Sequence, residues 1–321
     1  MRRTLSMFAD PMITVLAIAT LGAIAFPAVG EAREVARDIS NIGIFALFLV
    51  NGIRIARGEI LRGFANWRFF LPLFLFVFLV MPLGGLAVSR LAEGILPPLV
   101  ALGFLYLGTL PSTIQSATSY TSLAGGNIAL SVVGAALINI AGVFVTAPLF
   151  AVLGGGEVGE LGNEAIVRIG LILLLPFVLG QLFQGWTRDW IVAHKSQVVW
   201  LDRIVIGIAV YVAFSGAVEQ GLGEMFDAQG WAVLIALVTG MLLLANIGAW
   251  LASGAMRFAR EDRIAFLFAG AQKSVAIGAP LAAILFAPEV GGFVIAPLLL
   301  YHLFQLVLAA PVANRLARAS D

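Results

Sequence analysis

Lys273 is the residue whose position most demands a chemical explanation. It stands in Gly270-Ala271-Gln272-Lys273-Ser274, ten positions after Arg263, within a long apolar run. At about 1.5 Å per helical residue that is roughly 15 Å of depth, near the middle of a hydrocarbon core about 30 Å thick. An ammonium there costs about 2.5–3.5 kcal/mol on insertion scales, and a lysine stem does not reach across half a bilayer. A fixed positive charge at that depth suits an anion as its partner. The competing reading is a structural lysine held by backbone carbonyls. Gln272 and Ser274 flank it, and Gly270, Gly278 and Pro280 interrupt the same run. Glycine and proline are poor material for a straight helix, so the segment suits a helix that breaks and lines a cavity.

A second polar stretch lies in the first half of the chain. From Leu110 to Ser122 there are eight serine, threonine or glutamine side chains, and the segment then reaches Ala124-Gly125-Gly126-Asn127. An ordinary polar seam between helices is the plainer account. Two interrupted segments in corresponding positions of two halves point instead to a central binding site. Asn51, Asn139, Gln181, Asn246, His302 and Gln305 are isolated polar residues in apolar runs. Interhelical hydrogen bonding is the plainer role for each, and His302 has a sharper alternative as a proton relay. The candidate substrate-binding set is Lys273, Gln272, Ser274, Gly270, Gln115, Ser116, Thr118, Ser119, Thr113, Asn127, Asn51 and His302.

Membrane helices must carry these residues. The hydrophobic fraction is 61% and the charged fraction 12%, with a mean hydropathy of +1.02; soluble domains carry about 25% charged residues. Ten runs are long enough to span: about 12–30, 38–56, 67–89, 95–123, 127–152, 164–186, 200–218, 230–256, 262–286 and 290–314. They are continuously apolar, which predicts helices rather than barrel strands. Arg2 and Arg3 precede the first run as in a signal peptide, but Asp10-Pro11 interrupts it; a first span is expected, with a retained signal sequence as the alternative. The chain has no cysteine, which excludes disulfides, iron–sulfur clusters and thiol catalysis, and His194 and His302 make no metal cluster. No Lys/Arg block suggests nucleic acid.

Charge orients the spans. With a cytoplasmic N-terminus, 14 basic residues fall inside, among them Arg2, Arg3, Arg57, Arg62, Lys195, Arg203 and Arg315, against Arg33, Arg37, Arg90 and Arg168 outside. This is a positive-inside pattern with both termini in the cytoplasm, and it predicts a multi-pass inner-membrane protein. The Gly-rich connection Leu153–Asn163 divides the spans five and five. An odd number per half sets the halves in opposite orientation, as in an inverted repeat: 1–153 and 154–321, together one membrane domain. Spans four and nine are expected to break near 110–118 and 270–275 and to approach one another at mid-depth.

At these motifs the chain resembles the bile acid:sodium symporter family over essentially all ten spans. Pro111 through Ala124-Gly125-Gly126-Asn127-Ile128-Ala129-Leu130-Ser131 looks like the family's broken fourth helix and the start of its fifth. Gly270-Ala271-Gln272-Lys273-Ser274 looks like its ninth, and Pro297-Leu298-Leu299-Leu300-Tyr301-His302 and Phe48-Leu49-Val50-Asn51-Gly52-Ile53 resemble a divergent branch. The resemblance implies an all-α membrane fold of two inverted five-helix repeats, with crossing fourth and ninth helices. Sodium symporters of the family carry Glu-x-Gly-x-Gln-Asn-Ser in the ninth helix. Here that register reads Phe268-Ala269-Gly270-Ala271-Gln272-Lys273-Ser274, so Phe268 replaces the glutamate and Lys273 the asparagine. The third-helix glutamine falls on Val77, and the Ser-Asn pair near Ala117-Thr118. Thr118, Ser131 and Gln272 are what the resemblance leaves for a cation, with no acidic residue beside them.

The expected function is secondary transport of a small organic anion by alternating access, with Lys273 supplying charge that sodium supplies in relatives. An anion favours the charged lysine, so binding and protonation are linked, and H⁺ is a candidate coupling ion beside Na⁺. No cofactor, catalytic group or nucleic-acid partner is expected, and the assembly is a monomer or homodimer. The alternative is a channel, a signalling partner or a membrane enzyme. A Ser274–Lys273 dyad is geometrically poor, because adjacent helix positions point about 100° apart.

Overall fold

The computed structural model describes residues 11–54, 58, 66–154, 170–221 and 227–318. Among these, every regular element is helical, and the protein is an all-α multi-pass membrane protein. In chain order the elements are α1 (Pro11–Ala25), α2 (Glu31–Arg54), α3 (Trp67–Ala92), α4a (Pro98–Thr109), α4b (Ile114–Leu123), α5 (Ile128–Gly154), α6 (Gly170–Ala193), α7 (Lys195–Glu219), α8 (Ala228–Ala255), α9a (Arg260–Ala271), α9b (Val275–Leu285) and α10 (Pro288–Arg318). Among the described residues, eight spans are long and apolar enough to cross a membrane as continuous segments, α9a and α9b counting as one. The bent pair α4a–α4b makes nine, and α1 is a shorter apolar helix of 15 residues. Arg2, Arg3, Arg57, Arg62 and Arg168, and the connection Leu153–Asn163 beyond residue 154, lie outside the described residues.

The helices do not stop where their apolar runs stop. The sixth run fades at 186, yet α6 continues to Ala193 and α7 begins at Lys195. Trp186, Arg188, Asp189 and Trp190 end the apolarity without breaking the helix, since none is a helix breaker. In α3 the turn pattern widens to a π-helix at Phe76–Val80, just before Met81-Pro82. Pro82 has no N–H to give to the preceding turn, and a π-turn is one way to absorb that loss.

The chain forms two compact units. The first comprises Met1–Ala56, Gly155–Asp227 and Ala276–Ile295, and the second Arg57–Gly154, Ala228–Val275 and Ala296–Asp321. Each draws on both sides of residue 153, so division by packing differs from division by repeat and does not bear on it. In the first unit, α2 and α6 touch backbone to backbone: a Cβ on Gly52 would overlap the Phe177 carbonyl oxygen, and one on Gly180 that of Leu49. Beside this contact Gln181 Nε2 donates to Gly52 O at 2.6 Å and Gln184 Nε2 to Ile53 O at 3.0 Å, serving carbonyls freed at the end of α2. Tyr211 on α7 donates its hydroxyl to Phe26 O at 2.8 Å. Arg33 pairs with Glu219 and, at 2.6 Å, with Glu289, joining the starts of α2 and α10 to the end of α7.

The second unit is built around helices buried on all sides. In α4a every residue from Phe104 to Thr109 is buried, and in α9a every residue from Ile264 to Ala271. Helices apolar all round belong in the interior of a bundle. α3 approaches α4a closely, because a Cβ on Gly108 would lie 2.7 Å from Met81 O. Phe76 packs edge-on to Phe266 at 5.8 Å.

Candidate functional site: a crossing of two broken helices

Both breaks form where the sequence withholds helical hydrogen bonding. A residue before proline is pushed out of the helical region; Leu110, before Pro111, is extended at φ −72°, ψ 147°, and α4a ends at Thr109. α4b resumes at Ile114, bent by 63° from α4a. In the ninth span Gln272 is extended at φ −77°, ψ 135°, and residues 272–274 are non-helical.

A buried break frees backbone groups that must find partners. In the fourth span five successive carbonyls are accounted for. Gly108 O accepts from Lys273 Nζ at 2.9 Å and Leu110 O from the same ammonium at 2.6 Å. Thr109 O accepts from Thr146 Oγ1 at 3.0 Å, and Ser112 O from Asn139 Nδ2 at 2.6 Å. Pro111 O accepts from the Ser274 backbone N–H at 3.0 Å. The two breaks therefore touch, as the sequence predicts. In the ninth span Tyr301 donates its hydroxyl to Ala271 O at 2.7 Å. Gln305 takes both sides of one residue: Oε1 accepts from Lys273 N at 2.7 Å, and Nε2 donates to Lys273 O at 3.0 Å. Side chains of α5 hold the fourth-span break, and side chains of α10 hold the ninth.

Lys273 is fully buried. Its ammonium sits at the C-terminal end of α4a, where exposed carbonyls concentrate partial negative charge. Charge-assisted hydrogen bonds of this kind contribute about 1.5–3 kcal/mol each. In this conformation the lysine thus binds carbonyls, as the structural alternative has it, with two of its three donors.

The other candidates separate into groups. Ser116 Oγ donates to Gln272 Oε1 at 2.9 Å, so these two meet at the crossing, and Ser274 lies against Pro111 through its backbone. Thr113 is the half-buried residue before α4b, while Gln115 and Ser119 are exposed on it, four residues apart and on one face. Gly270 makes room for a ring, since a Cβ there would lie 3.0 Å from Phe76 Cδ1. Thr118 Oγ1 is buried without a hydrogen-bond partner, and Ser131 Oγ accepts from Thr121 Oγ1 at 3.1 Å. Asn127 stands apart. Its Oδ1 accepts from Leu130 N at 3.1 Å as the N-cap of α5, and its Nδ2 donates to Asp262 at 2.9 Å. Asp262 is about 16 Å along α9a from Lys273. Asn51 is half-buried on α2, in the first unit. His302 is buried on α10, with Nδ1 2.8 Å from Gln305 Nε2.

Thr146, Tyr301 and Tyr120, whose hydroxyl donates to Leu306 O at 3.1 Å, did not emerge as site residues from the sequence. The helical spacing of Asn139 with Thr146, and of Tyr301 with Gln305, was the available signal: each pair shares a face.

A bundle of membrane spans with two interrupted helices meeting in its interior is the architecture of a transporter. The model of the SBF-like CPA transporter family matches residues 10–318, and the chain belongs to that family. It is 37% identical over 320 residues to the uncharacterized protein PA2026 of Pseudomonas aeruginosa, covering 98% of this chain and 95% of that one. It is 35% identical over 323 residues to YfeH of Escherichia coli, provisionally named a symporter, covering 99% and 95%. It is 23% identical over 286 residues to sodium/bile acid cotransporter 7 of Mus musculus, covering 85% and 81%.

Proposed function

We propose that the protein is a secondary active transporter that carries a small organic anion across the inner membrane by alternating access, with both termini in the cytoplasm and no catalytic activity. The observation that carries this is the Lys273 ammonium bonded to Gly108 O and Leu110 O where the two breaks meet. Across the break in the fourth span, the negative end of α4a faces the positive end of α4b. A lysine on the negative end tips the balance toward positive potential. One ammonium donor and the N-terminus of α4b remain for an anionic group, and the exposed polar face of Gln115 and Ser119 suits a wet path toward it. The relatives named as a symporter and as a sodium/bile acid cotransporter support carriage of a solute with an ion.

Sodium fits the site poorly. Ser131 Oγ and Gln272 Oε1 each have one lone pair engaged by the Thr121 and Ser116 hydroxyls, no carboxylate stands among Thr118, Ser131 and Gln272 to balance a cation, and a lysine ammonium repels a second cation in a dry site. Lys273 stands in for the cation, and a proton is the coupling ion. Uptake of a panel of carboxylate, sulfonate and phosphate-bearing organic anions into proteoliposomes tests the role of the lysine. Lys273→Ala is expected to reduce uptake of any transported anion by about ten- to a hundredfold, the equivalent of one charge-assisted hydrogen bond. Equal uptake by both proteins removes Lys273 from the mechanism.

A further inference from the structure

The amide of Gln305 has only one orientation that fits its surroundings. Its oxygen meets the Lys273 N–H at 2.7 Å and its nitrogen meets the Lys273 carbonyl at 3.0 Å. Turning the amide over sets oxygen against oxygen and N–H against N–H. The same Nε2 carries a second hydrogen, and His302 Nδ1 lies 2.8 Å from it. A donor this close requires a lone pair on Nδ1, so His302 is neutral with its proton on Nε2. Both side chains are buried, at 8% and 1% exposure for His302 and Gln305, so water does not readily replace a lost partner.

We infer that His302 Nδ1 is the binding site of the coupling proton, and that Gln305 makes its occupancy incompatible with the closed break at Lys273. A proton on Nδ1 sets two donors face to face. Gln305 then has to swing away, and with it go both hydrogen bonds to the Lys273 peptide. That peptide is flanked by the ammonium on Gly108 and Leu110 and by the Ser274 N–H on Pro111. Releasing it loosens the contact between the two spans. Among the described residues, the titratable and charged groups on elements bonded to this part of α10 are Lys273, Tyr120 on α4b, Tyr301 on α10 itself, and Arg260 and Arg263 with two carboxylates on α9a. The carboxylates of α9a, Glu261 and Asp262, lie in its first turn, about 16 Å along the helix from Lys273. Through His302 alone, the closed break is favoured at high pH and lost as pH falls.

This inference rests on the crossing being the transport site, but its test needs no substrate. Amide hydrogen exchange of the purified protein, corrected for intrinsic rates, reads the protection of Lys273 and Ser274. Between about pH 8 and about pH 5, wild-type protection is expected to fall, by at most about tenfold per pH unit. His302→Gln keeps a hydrogen-bond acceptor without a titrating one, and its protection is expected to lose the fall toward low pH. His194→Gln is expected to follow wild type. A flat wild-type profile, or the same slope in His302→Gln, overturns the inference. Should His302→Gln not fold, nitrogen NMR of ¹⁵N-histidine-labelled His194→Gln observes the single remaining imidazole, and a proton on Nδ1 at about pH 8 overturns it equally. A pH response without uptake of any anion removes the transport reading and leaves the proton site standing.

Discussion

Asn139 and Asn246 are the same side chain in the same kind of apolar helix, yet only one joins two spans. Asn139 donates to Ser112 O across the break and to Ala135 O on its own helix, whereas Asn246 donates to Leu242 O one turn back. Asn139→Ala leaves a buried carbonyl unpaired and is expected to lower stability by about 1–3 kcal/mol. Asn246→Ala is expected to stay within about 0.5 kcal/mol, as a substitution that strands no buried group does. Unfolding in detergent separates the two, and equal losses would contradict the accounting of carbonyls at the break. The sequence marks both residues alike, because residue type shows a donor and not the backbone oxygen it meets. Lys273 was legible for the opposite reason: a charge inside an apolar run is conspicuous wherever its partners lie. Gly108 O and Leu110 O were invisible, since every residue has a carbonyl. Asn127 carries two signals at once, for an asparagine directly before an apolar helical run is also an N-cap signature, and the structure uses it so.

At the scale of the element, Pro111 and the cluster Gly270–Ser274 announced the breaks because they deny or weaken local helix bonds. What the breaks rest against was less legible. A Cβ on Gly142 would lie 2.6 Å from Pro111 Cγ, and one on Gly108 2.7 Å from Met81 O, while Gly240 has open space around its Cβ direction. Gly142 falls between Asn139 and Thr146 on one face of α5, so the helix presents an amide, a gap for the proline ring and a hydroxyl to the break. Gly142→Ala and Gly108→Ala are expected to destabilise by about 1–3 kcal/mol or more through overpacking, and Gly240→Ala to be near neutral. Melting temperatures of the three variants check this. A neutral Gly142→Ala would mean that Pro111 does not need the space.

At the scale of the whole molecule the apolar runs were legible: the described helices follow their order, with eight or nine spans long enough to cross and α1 shorter, where ten were expected. The two packing units were not legible, because interleaving depends on contacts between segments distant in sequence. Orientation can be read directly, since the chain has no native cysteine to remove. Lys195→Cys at the start of α7 is expected to resist an impermeant maleimide added outside intact cells, and Gln220→Cys after α7 to react; the opposite result would invert the topology. On the proposed function, a fixed lysine replaces sodium at a crossing that carries an anion. The most direct test is uptake of a transported anion into wild-type proteoliposomes in sodium-free buffer under an imposed pH gradient. Uptake is expected to persist without sodium and to follow the proton gradient. Uptake that vanishes without sodium and ignores the proton gradient would contradict it.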